Sequence, residues 1–181
     1  MLKSHTCQSS QFLGMGSLFT KVRLLTNKVL IWSGRVHTYE GHSTNDASFI
    51  AQMSAFLGCQ TIIITNAVGG GIPGMQVGSF MLSTDHINTV YKSQNRFYEN
   101  DTRFLTKRVQ RTEAHTKDLI DLARTVAEEL EIELFEGNYV WTPGPAFETP
   151  METTILRQFG GGAFGMSTIP ELLAAKQLGM D

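Results

Sequence analysis

The chain has 181 residues, which fits one domain or most of one. Its 41% hydrophobic content is enough for a sizeable core, and a formal charge of −2 with scattered basic residues argues against a nucleic-acid partner or an anionic membrane surface. No apolar run approaches the roughly 20 residues that span a bilayer, and two cysteines in no metal or disulfide spacing, Cys7 and Cys59, predict reduced thiols in a cytoplasmic protein.

Alternating strand and helix patterns follow a weakly specified N-terminus at residues 1–20. In chain order, these patterns predict a strand at 28–32, a helix at 43–58, strands at 60–65 and 79–88, a long surface loop at 89–112, a helix at 113–132, a strand and turn at 138–148, a helix at 149–161, a short strand at 162–167 and a helix at 168–179. The two last helices have the strongest start signals. Thr149 and Glu152 flank Pro150 in a predicted capping box, and Thr168 and Glu171 repeat the pattern.

This alternation predicts an α/β fold with a mixed, largely parallel central sheet flanked by helices. Residues 1–181 are expected to form a single domain. Because a doubly wound fold would continue after the last predicted helix, that domain is expected to be incomplete. Ligands of such folds bind at the carboxyl ends of the strands. Four unusual segments fall there, at 34–43, 66–74, 143–148 and 164–168.

The first of these segments is GRVHTYEGHS at 34–43. Side chains alternate along an extended chain, so Arg35, His37 and Tyr39 are expected to share one face at a spacing of about 7 Å. A guanidinium, an imidazole and a phenol on one face suit a small anion attached to a hydroxyl-bearing group. The alternative is an ordinary polar strand end.

The other three segments each have a binding interpretation and a structural one. The loop TNAVGGG could expose backbone N–H groups to an anion, or it could be an ordinary turn. In GPAFET, Phe147 could stack on a base while Glu148 accepts from ring N–H groups, or Phe147 is core and Glu148 complements the helix start. In GMSTIPE, Ser167 could hold phosphate and Met166 a sugar, or they are a cap residue and a core residue.

Taken together and in this order, GRVHTYEG, TNAVGG, GPAFET and GMSTIPE resemble the trimeric purine nucleoside phosphorylase family, whose enzymes act on inosine and guanosine. The resemblance runs from about Lys28 to the end of the chain. It implies reversible phosphorolysis of purine nucleosides to a free base and a pentose 1-phosphate, as a glycosyltransferase of purine salvage. It also implies that there is no metal, cofactor or covalent intermediate, that inorganic phosphate is a substrate, and that the protein is a homotrimer.

The resemblance assigns roles to individual positions of this chain. It implies phosphate binding by Arg35, His37, Ala67 and Ser167. It implies ribose contacts by Tyr39, Met166 and, from the neighbouring subunit, Phe104. It implies purine contacts by Phe147, Glu148, Phe164 and Tyr139. His37 and Glu148 are the implied catalytic residues, Glu40 matches the acid that orients the arginine, and Asn66 supports the phosphate loop.

Two departures from the family pattern leave alternatives open. The segment SSQFLGMGSL only vaguely resembles the family's first phosphate loop. The family also continues past GMSTIPE with an asparagine at purine N7 and a ribose-side histidine. The chain is therefore expected to be truncated at both ends and unstable alone. One alternative is an inactive truncated remnant or isoform. The other is a methylthioadenosine phosphorylase, although Glu148 and GMST favour 6-oxopurines.

Overall fold

The computed structural model describes residues 18–24, 27–90 and 114–181. The chain divides into two compact units, Met1–Val36 and His37–Asp181. Within the first unit, β1 (Leu18–Leu24) pairs antiparallel with β2 (Asn27–Ser33). The strand β2 confirms the one expected at 28–32. β1 begins inside the segment that the sequence leaves without a clear period.

The second unit is built on a four-stranded sheet with the spatial order β3-β6-β5-β4. The strands are β3 (Gly69–Gly70), β4 (Phe80–Asn88), β5 (Leu134–Trp141) and β6 (Gly161–Gly165). β4, β5 and β6 run parallel, and the two-residue β3 joins β6 antiparallel. This arrangement confirms a mixed, largely parallel sheet. The carboxyl end of the sheet, as used below, is the end at which Asn88, Trp141 and Gly165 close β4, β5 and β6.

Five helices accompany this sheet: α1 (Thr44–Ala47), α2 (Phe49–Phe56), α3 (Lys117–Glu129), α4 (Pro150–Gln158) and α5 (Ile169–Gln177). The helix expected at 43–58 is divided at Ser48, whose hydroxyl donates to the carbonyl of Asn45 at 2.7 Å. A serine side chain that bonds the local backbone competes with helix continuation. Gly58, with a φ of 82°, follows the end of α2 as expected. Within the described residues, no helix is long and apolar enough to cross a membrane.

The predicted starts of α4 and α5 are confirmed. The backbone N–H of Thr149 donates to Glu152 Oε2 at 2.7 Å, and the N–H of Glu152 donates back to Thr149 Oγ1 at 3.2 Å. At α5, the N–H of Thr168 donates to Glu171 Oε2 at 3.1 Å. Both helices therefore begin where their capping residues predict, and both lead out of loops at the carboxyl end of the sheet.

The prediction of a central strand at 60–65 is wrong. These residues form no strand, and Ile63 is 83% exposed. Two backbone bonds at the start of this segment go to the last residue: Ile62 N–H donates to Asp181 O, and Asp181 N–H donates to Gln60 O. A β-branched run has strand propensity, but a strand also needs a neighbour to complete its ladder. Among the described residues, no strand fills that position.

The core of the second unit is formed largely by residues of β5 and α5. Val140 and Trp141 on β5 and Ile169 on α5 have no exposed surface. One buried cluster joins the sheet to α5, and it contains Val90, Ala114, Tyr139, Trp141, Ile169 and Leu173. A second cluster of small side chains packs α2 against α5 through Ala51, Ala174 and Ala175. Close packing around α5 fixes where its N-terminus lies relative to the sheet.

Candidate functional site

The hydroxyl of Tyr139 connects two of the segments singled out in the sequence. Asn66 Nδ2 donates to this hydroxyl at 3.1 Å, and the backbone N–H of Ser167 donates to it at 3.4 Å. Tyr139 lies on β5 and is only 3% exposed, so its contact with Ser167 is buried and its contact with the exposed Asn66 is partly buried. A buried, paired polar group of this kind fixes the position of its partners. The network therefore holds the Asn66 loop beside the start of α5.

Glycine at position 165 is required by this network. A Cβ atom at Gly165 would collide with the hydroxyl of Tyr139. The chain therefore passes close over the tyrosine ring just before Met166 and Ser167. The sequence offers no direct signal for this arrangement, because Tyr139 and Asn66 are 73 positions apart.

The glycine-rich segment after Asn66 is only partly available for ligand binding. Gly69 and Gly70 form β3, paired with Phe164 and Ala163, and the N–H of Gly71 donates to the carbonyl of Gly162. A Cβ at Gly71 would lie 2.8 Å from the ring of Phe164, so glycine allows the close approach of β6. The ordinary-turn interpretation is therefore replaced by strand pairing for this part. Ala67, just before β3, is exposed.

Ser167 lies in the short turn between β6 and α5 and is buried to 7% exposure. Its carbonyl accepts from the N–H of Ile169, and Thr168 takes a φ of 75°, which is rare for a threonine. Strained backbone of this kind persists where the surroundings hold it and is common at binding sites. The turn places Ser167 next to the N-terminal end of α5, where partial positive charge favours an anion.

The segment that contains His37 and Tyr39 does not have the expected extended geometry. β2 ends at Ser33, and Thr38–Glu40 form a turn of 3₁₀ helix, so the alternation of side chains along a strand does not apply. The rings of His37 and Tyr39 stack instead, with centroids 4.8 Å apart and an interplanar angle of 20°. This correction has a local cause, because a capping interaction between His37 and Glu40 favours the tight turn.

Glu40 caps its own turn. The N–H of His37 donates to Glu40 Oε2 at 2.9 Å, and His37 Nδ1 lies 3.5 Å from the same oxygen. The backbone hydrogen bond from His37 is the main reason why the pKa of Glu40 lies below its usual value. Among the described residues, Nδ1 of His37 makes no other polar contact that would compete with Glu40 for it.

Two predicted ribose residues meet at Gly144. This glycine has a φ of 67°, and a Cβ atom there would lie 2.6 Å from Met166 Sδ and 2.8 Å from Tyr39 Cδ1. The side chains of Tyr39 and Met166 therefore converge on the backbone of the loop that follows β5. The structure brings the His37–Tyr39 turn, the GPAFET loop and the GMSTIPE turn together at the carboxyl end of the sheet.

Phe147 is not a core residue. Its side chain is 88% exposed in the loop before α4, which removes the core interpretation. Glu148 is half-buried beside it, and the helix start is capped by Glu152 rather than by Glu148. An exposed aromatic ring next to a carboxylate that does not cap the helix fits a binding role better than a structural one.

The remaining predicted residues lie in different parts of the chain. Phe164 is 6% exposed on β6 and packs near Gly69 and Gly71. Arg35 is half-buried in the first unit. Phe104 lies outside the described residues. The contacts predicted for these three residues remain predictions.

The mixed α/β sheet gathers loops with exposed aromatic and buried polar groups at its carboxyl end, where open sheets of this class commonly carry a ligand site. The chain belongs to the phosphorylase superfamily. The model of that family, described as "Phosphorylase superfamily", matches residues 4–181.

Two relatives give the extent of the similarity. The chain is 37% identical over 153 residues to purine nucleoside phosphorylase 1 of Geobacillus stearothermophilus, covering 84% of this chain and 56% of that protein. It is 37% identical over 155 residues to purine nucleoside phosphorylase of Rattus norvegicus, covering 83% of this chain and 54% of that protein. The chain thus spans about half the length of the curated relatives it matches.

Solved structures agree with this assignment. Schistosoma mansoni purine nucleoside phosphorylase in complex with inosine matches with a TM-score of 0.84 at 32% identity, over 95% of this chain and 62% of that chain. Schistosoma purine nucleoside phosphorylase in complex with guanosine matches with a TM-score of 0.84 at 33% identity, over 91% and 65%. The predicted fold and family are confirmed.

Proposed function

We propose that the protein catalyses reversible phosphorolysis of purine nucleosides, giving a free purine base and a pentose 1-phosphate. The observation that carries this proposal is the Tyr139 hydroxyl, which holds the Asn66 loop and the Ser167 turn together at the carboxyl end of the sheet. The family resemblance assigns phosphate to both of these segments, as it does to the segment that contains Arg35 and His37. The purine nucleoside phosphorylases among its relatives support the same reaction.

Phosphate would bind Ser167 and the Ala67 N–H in the second unit, with Arg35 and His37 as its other partners. Ser167 is 7% exposed at the start of α5, where the partial positive charge of the helix favours an anion, and a guanidinium offers two parallel donors to a pair of phosphate oxygens. His37 contributes an imidazole ring, whose Nδ1 lies 3.5 Å from Glu40 Oε2. These groups together favour an anion over a neutral ligand.

The ribose would lie next to the bound phosphate, and the purine would lie beyond the ribose. Tyr39 and Met166 converge at Gly144 and offer an aromatic edge and a thioether to the sugar. Phe147 offers an exposed ring to the base, and Glu148 beside it offers an acceptor to purine N1–H. Tyr139 acts mainly as a positioning residue, because its buried hydroxyl already contacts Asn66 and Ser167.

In the reaction, a phosphate oxygen forms a bond to C1′ as the bond from C1′ to the purine nitrogen breaks. The electron pair of the broken bond moves into the purine, which takes up a proton. The sugar passes through a state resembling an oxocarbenium ion, as in glycoside cleavage. A phosphate dianion held under the sugar stabilises that charge and is placed to attack, so positioning and electrostatics supply most of the acceleration. No cofactor enters this scheme, since inorganic phosphate is a substrate.

We further propose that the protein is a cytoplasmic homotrimer in purine salvage, in which Phe104 reaches the neighbouring subunit's ribose. Free Cys59 agrees with a reducing compartment.

Comparison of inosine with 5′-methylthioadenosine tests the proposed substrate class. A site that accepts a hydrogen bond from N1–H is expected to favour inosine, because adenine carries no proton at N1. Glu148→Gln should remove most of that preference, while Glu133→Gln, at an exposed position outside the site, should leave it unchanged. Equal or greater turnover of methylthioadenosine would favour a methylthioadenosine phosphorylase. No turnover of either nucleoside by the folded chain would favour a non-catalytic role.

A further inference from the structure

One group of metal-ligand side chains contains none of the residues assigned to the reaction, although His86 pairs with Tyr139 between β4 and β5. Asp85 and His86 occupy β4, and His115 lies just before α3. Each offers one ligand atom, and these three atoms lie within 4.8 Å of one another. Asp85 Oδ1 is 3.8 Å from His86 Nδ1, and the two imidazole rings have centroids 5.5 Å apart.

A local irregularity of β4 explains how neighbouring residues reach the same point. Consecutive strand side chains normally point to opposite faces of a sheet. The register of β4 against β5 shifts between Ser83 and Asp85, and such a bulge turns side chains away from strict alternation. Ser83 Oγ lies 3.0 Å from Nε2 of His115 and adds a further oxygen to the group. Ala114, which belongs to the buried core cluster, anchors the chain next to His115.

We propose that Asp85, His86 and His115 bind a divalent transition-metal ion, with Zn²⁺ as the best fit. Two imidazoles and one carboxylate form a donor set that suits Zn²⁺ and other borderline ions, and that suits Mg²⁺ or Ca²⁺ poorly. A fourth position is left for water or for Ser83.

The geometry requires only a small adjustment. Tetrahedral Zn²⁺ with bonds of about 2.1 Å needs ligand atoms about 3.4 Å apart. Side-chain rotations that close the present separations, which reach 4.8 Å, by up to about 1.4 Å would give this spacing. The side chain of His86 is 4% exposed, whereas that of Asp85 is 62% exposed and can be reached by an ion from solvent. Asp85 Oδ1 accepts from the N–H of His86 at 2.7 Å, and binding an ion would replace this bond or use the other carboxylate oxygen.

Titration calorimetry with Zn²⁺ on the metal-stripped, untagged 181-residue chain tests this site. We expect one Zn²⁺ per chain with a dissociation constant in the micromolar range or tighter. Asp85→Ala and His115→Ala should each weaken binding by at least about tenfold. His42→Ala is the matched control, because His42 is exposed and lies outside the group, and it should bind as the unsubstituted chain does. Co²⁺ should give the visible absorption of a four-coordinate site, which both ligand variants should lose.

Circular dichroism checks that the variants fold. If His115→Ala does not fold, the exposed Asp85→Ala decides the question alone. A chain that binds no Zn²⁺ in the micromolar range would overturn the proposal. Binding that is unchanged in Asp85→Ala, or lost equally in His42→Ala, would also overturn it, because the ion would then be held elsewhere.

Discussion

At the scale of single residues, the carboxyl end of the sheet depends on contacts between segments that are distant in sequence. Tyr139, Asn66 and Ser167 meet through one hydroxyl, and Tyr39 meets Met166 over one glycine. Each contact joins a loop proposed to bind substrate to another such loop. Loss of one contact should therefore affect stability and function together.

Replacing Tyr139 with phenylalanine tests the hydroxyl network. The variant keeps the ring in the core but leaves the Ser167 N–H and the Asn66 amide without their acceptor. Because buried groups left unpaired are costly, the free energy of unfolding should fall by about 1–3 kcal/mol. Urea denaturation measures this change. Tyr39→Phe is the matched control, since its side chain is far more exposed, and it should change stability little. Equal stability of Tyr139→Phe and the unsubstituted chain would contradict the role given to the network.

Replacing Gly144 with alanine tests the convergence of Tyr39 and Met166. The new methyl group would displace both side chains, so the apparent KM for inosine should rise by about tenfold or more. Gly58→Ala is the control. Gly58 also has a positive φ but no atom within 4 Å of its Cβ position, so both variants bear a backbone cost of about 1–2 kcal/mol. If the two variants bind inosine equally well, Tyr39 and Met166 do not form the sugar site.

At the scale of the elements, local signals predict helix starts well. Thr149, Pro150 and Glu152 predict the start of α4 because every interaction of a capping box lies within four residues. Sequence patterns predict structure poorly where the element depends on a contact that the pattern does not contain. Residues 60–65 have strand propensity without a neighbouring strand, and the turn at Thr38–Glu40 follows from a side-chain cap that a period-two pattern does not reveal.

The capping box of α4 should stabilise the folded chain measurably. Thr149→Ala should lower the free energy of unfolding by about 1 kcal/mol, whereas Thr154→Ala, inside the same helix, should cost less. Thermal or urea unfolding at pH 7 measures both variants. A larger loss in Thr154→Ala would mean that the cap does not stabilise α4.

The capping box of α4 also predicts that the free energy of unfolding depends on pH. Hydrogen bonds from Thr149, first from its backbone N–H, lower the pKa of Glu152 below its usual value of 4.5. The folded state thus binds this proton more weakly than the unfolded state. The stabilisation is fully present above pH 4.5 and is lost as the pH falls through the lowered pKa. Nuclear magnetic resonance titration of Glu152 should show a pKa below 4.5. Thr149→Ala should move this pKa only part of the way back toward 4.5, because the backbone N–H of residue 149 still donates to the carboxylate.

At the scale of the whole molecule, much apolar surface is exposed. Large side chains with more than half of their surface exposed include Phe56, Ile63, Phe80, Leu122, Leu130 and Phe159. Such surface on a folded chain usually belongs to an interface. The sequence alone does not indicate this exposure, because Leu130 recurs with Leu119, Ala123 and Val126 at the spacing of a buried helix face.

The apolar surface and the proposed homotrimer predict self-association. Light scattering coupled to size-exclusion chromatography should give a mass about three times the 20.1 kDa of the chain. The mass should stay constant on dilution over the micromolar range. A monodisperse monomer at all these concentrations would contradict the proposed trimer, since each exposed apolar residue would then face solvent.

The most direct test of the proposed phosphorolysis follows the sugar product of inosine by ³¹P nuclear magnetic resonance. With the folded chain, inosine and inorganic phosphate, we expect a ribose 1-phosphate resonance that grows in step with released hypoxanthine. Arg35→Ala should suppress both products, because phosphate would lose its charged partner. Release of hypoxanthine with free ribose, or release that needs no phosphate, would show hydrolysis instead. Either that result or no product from a chain shown to be folded would contradict phosphorolysis at this site.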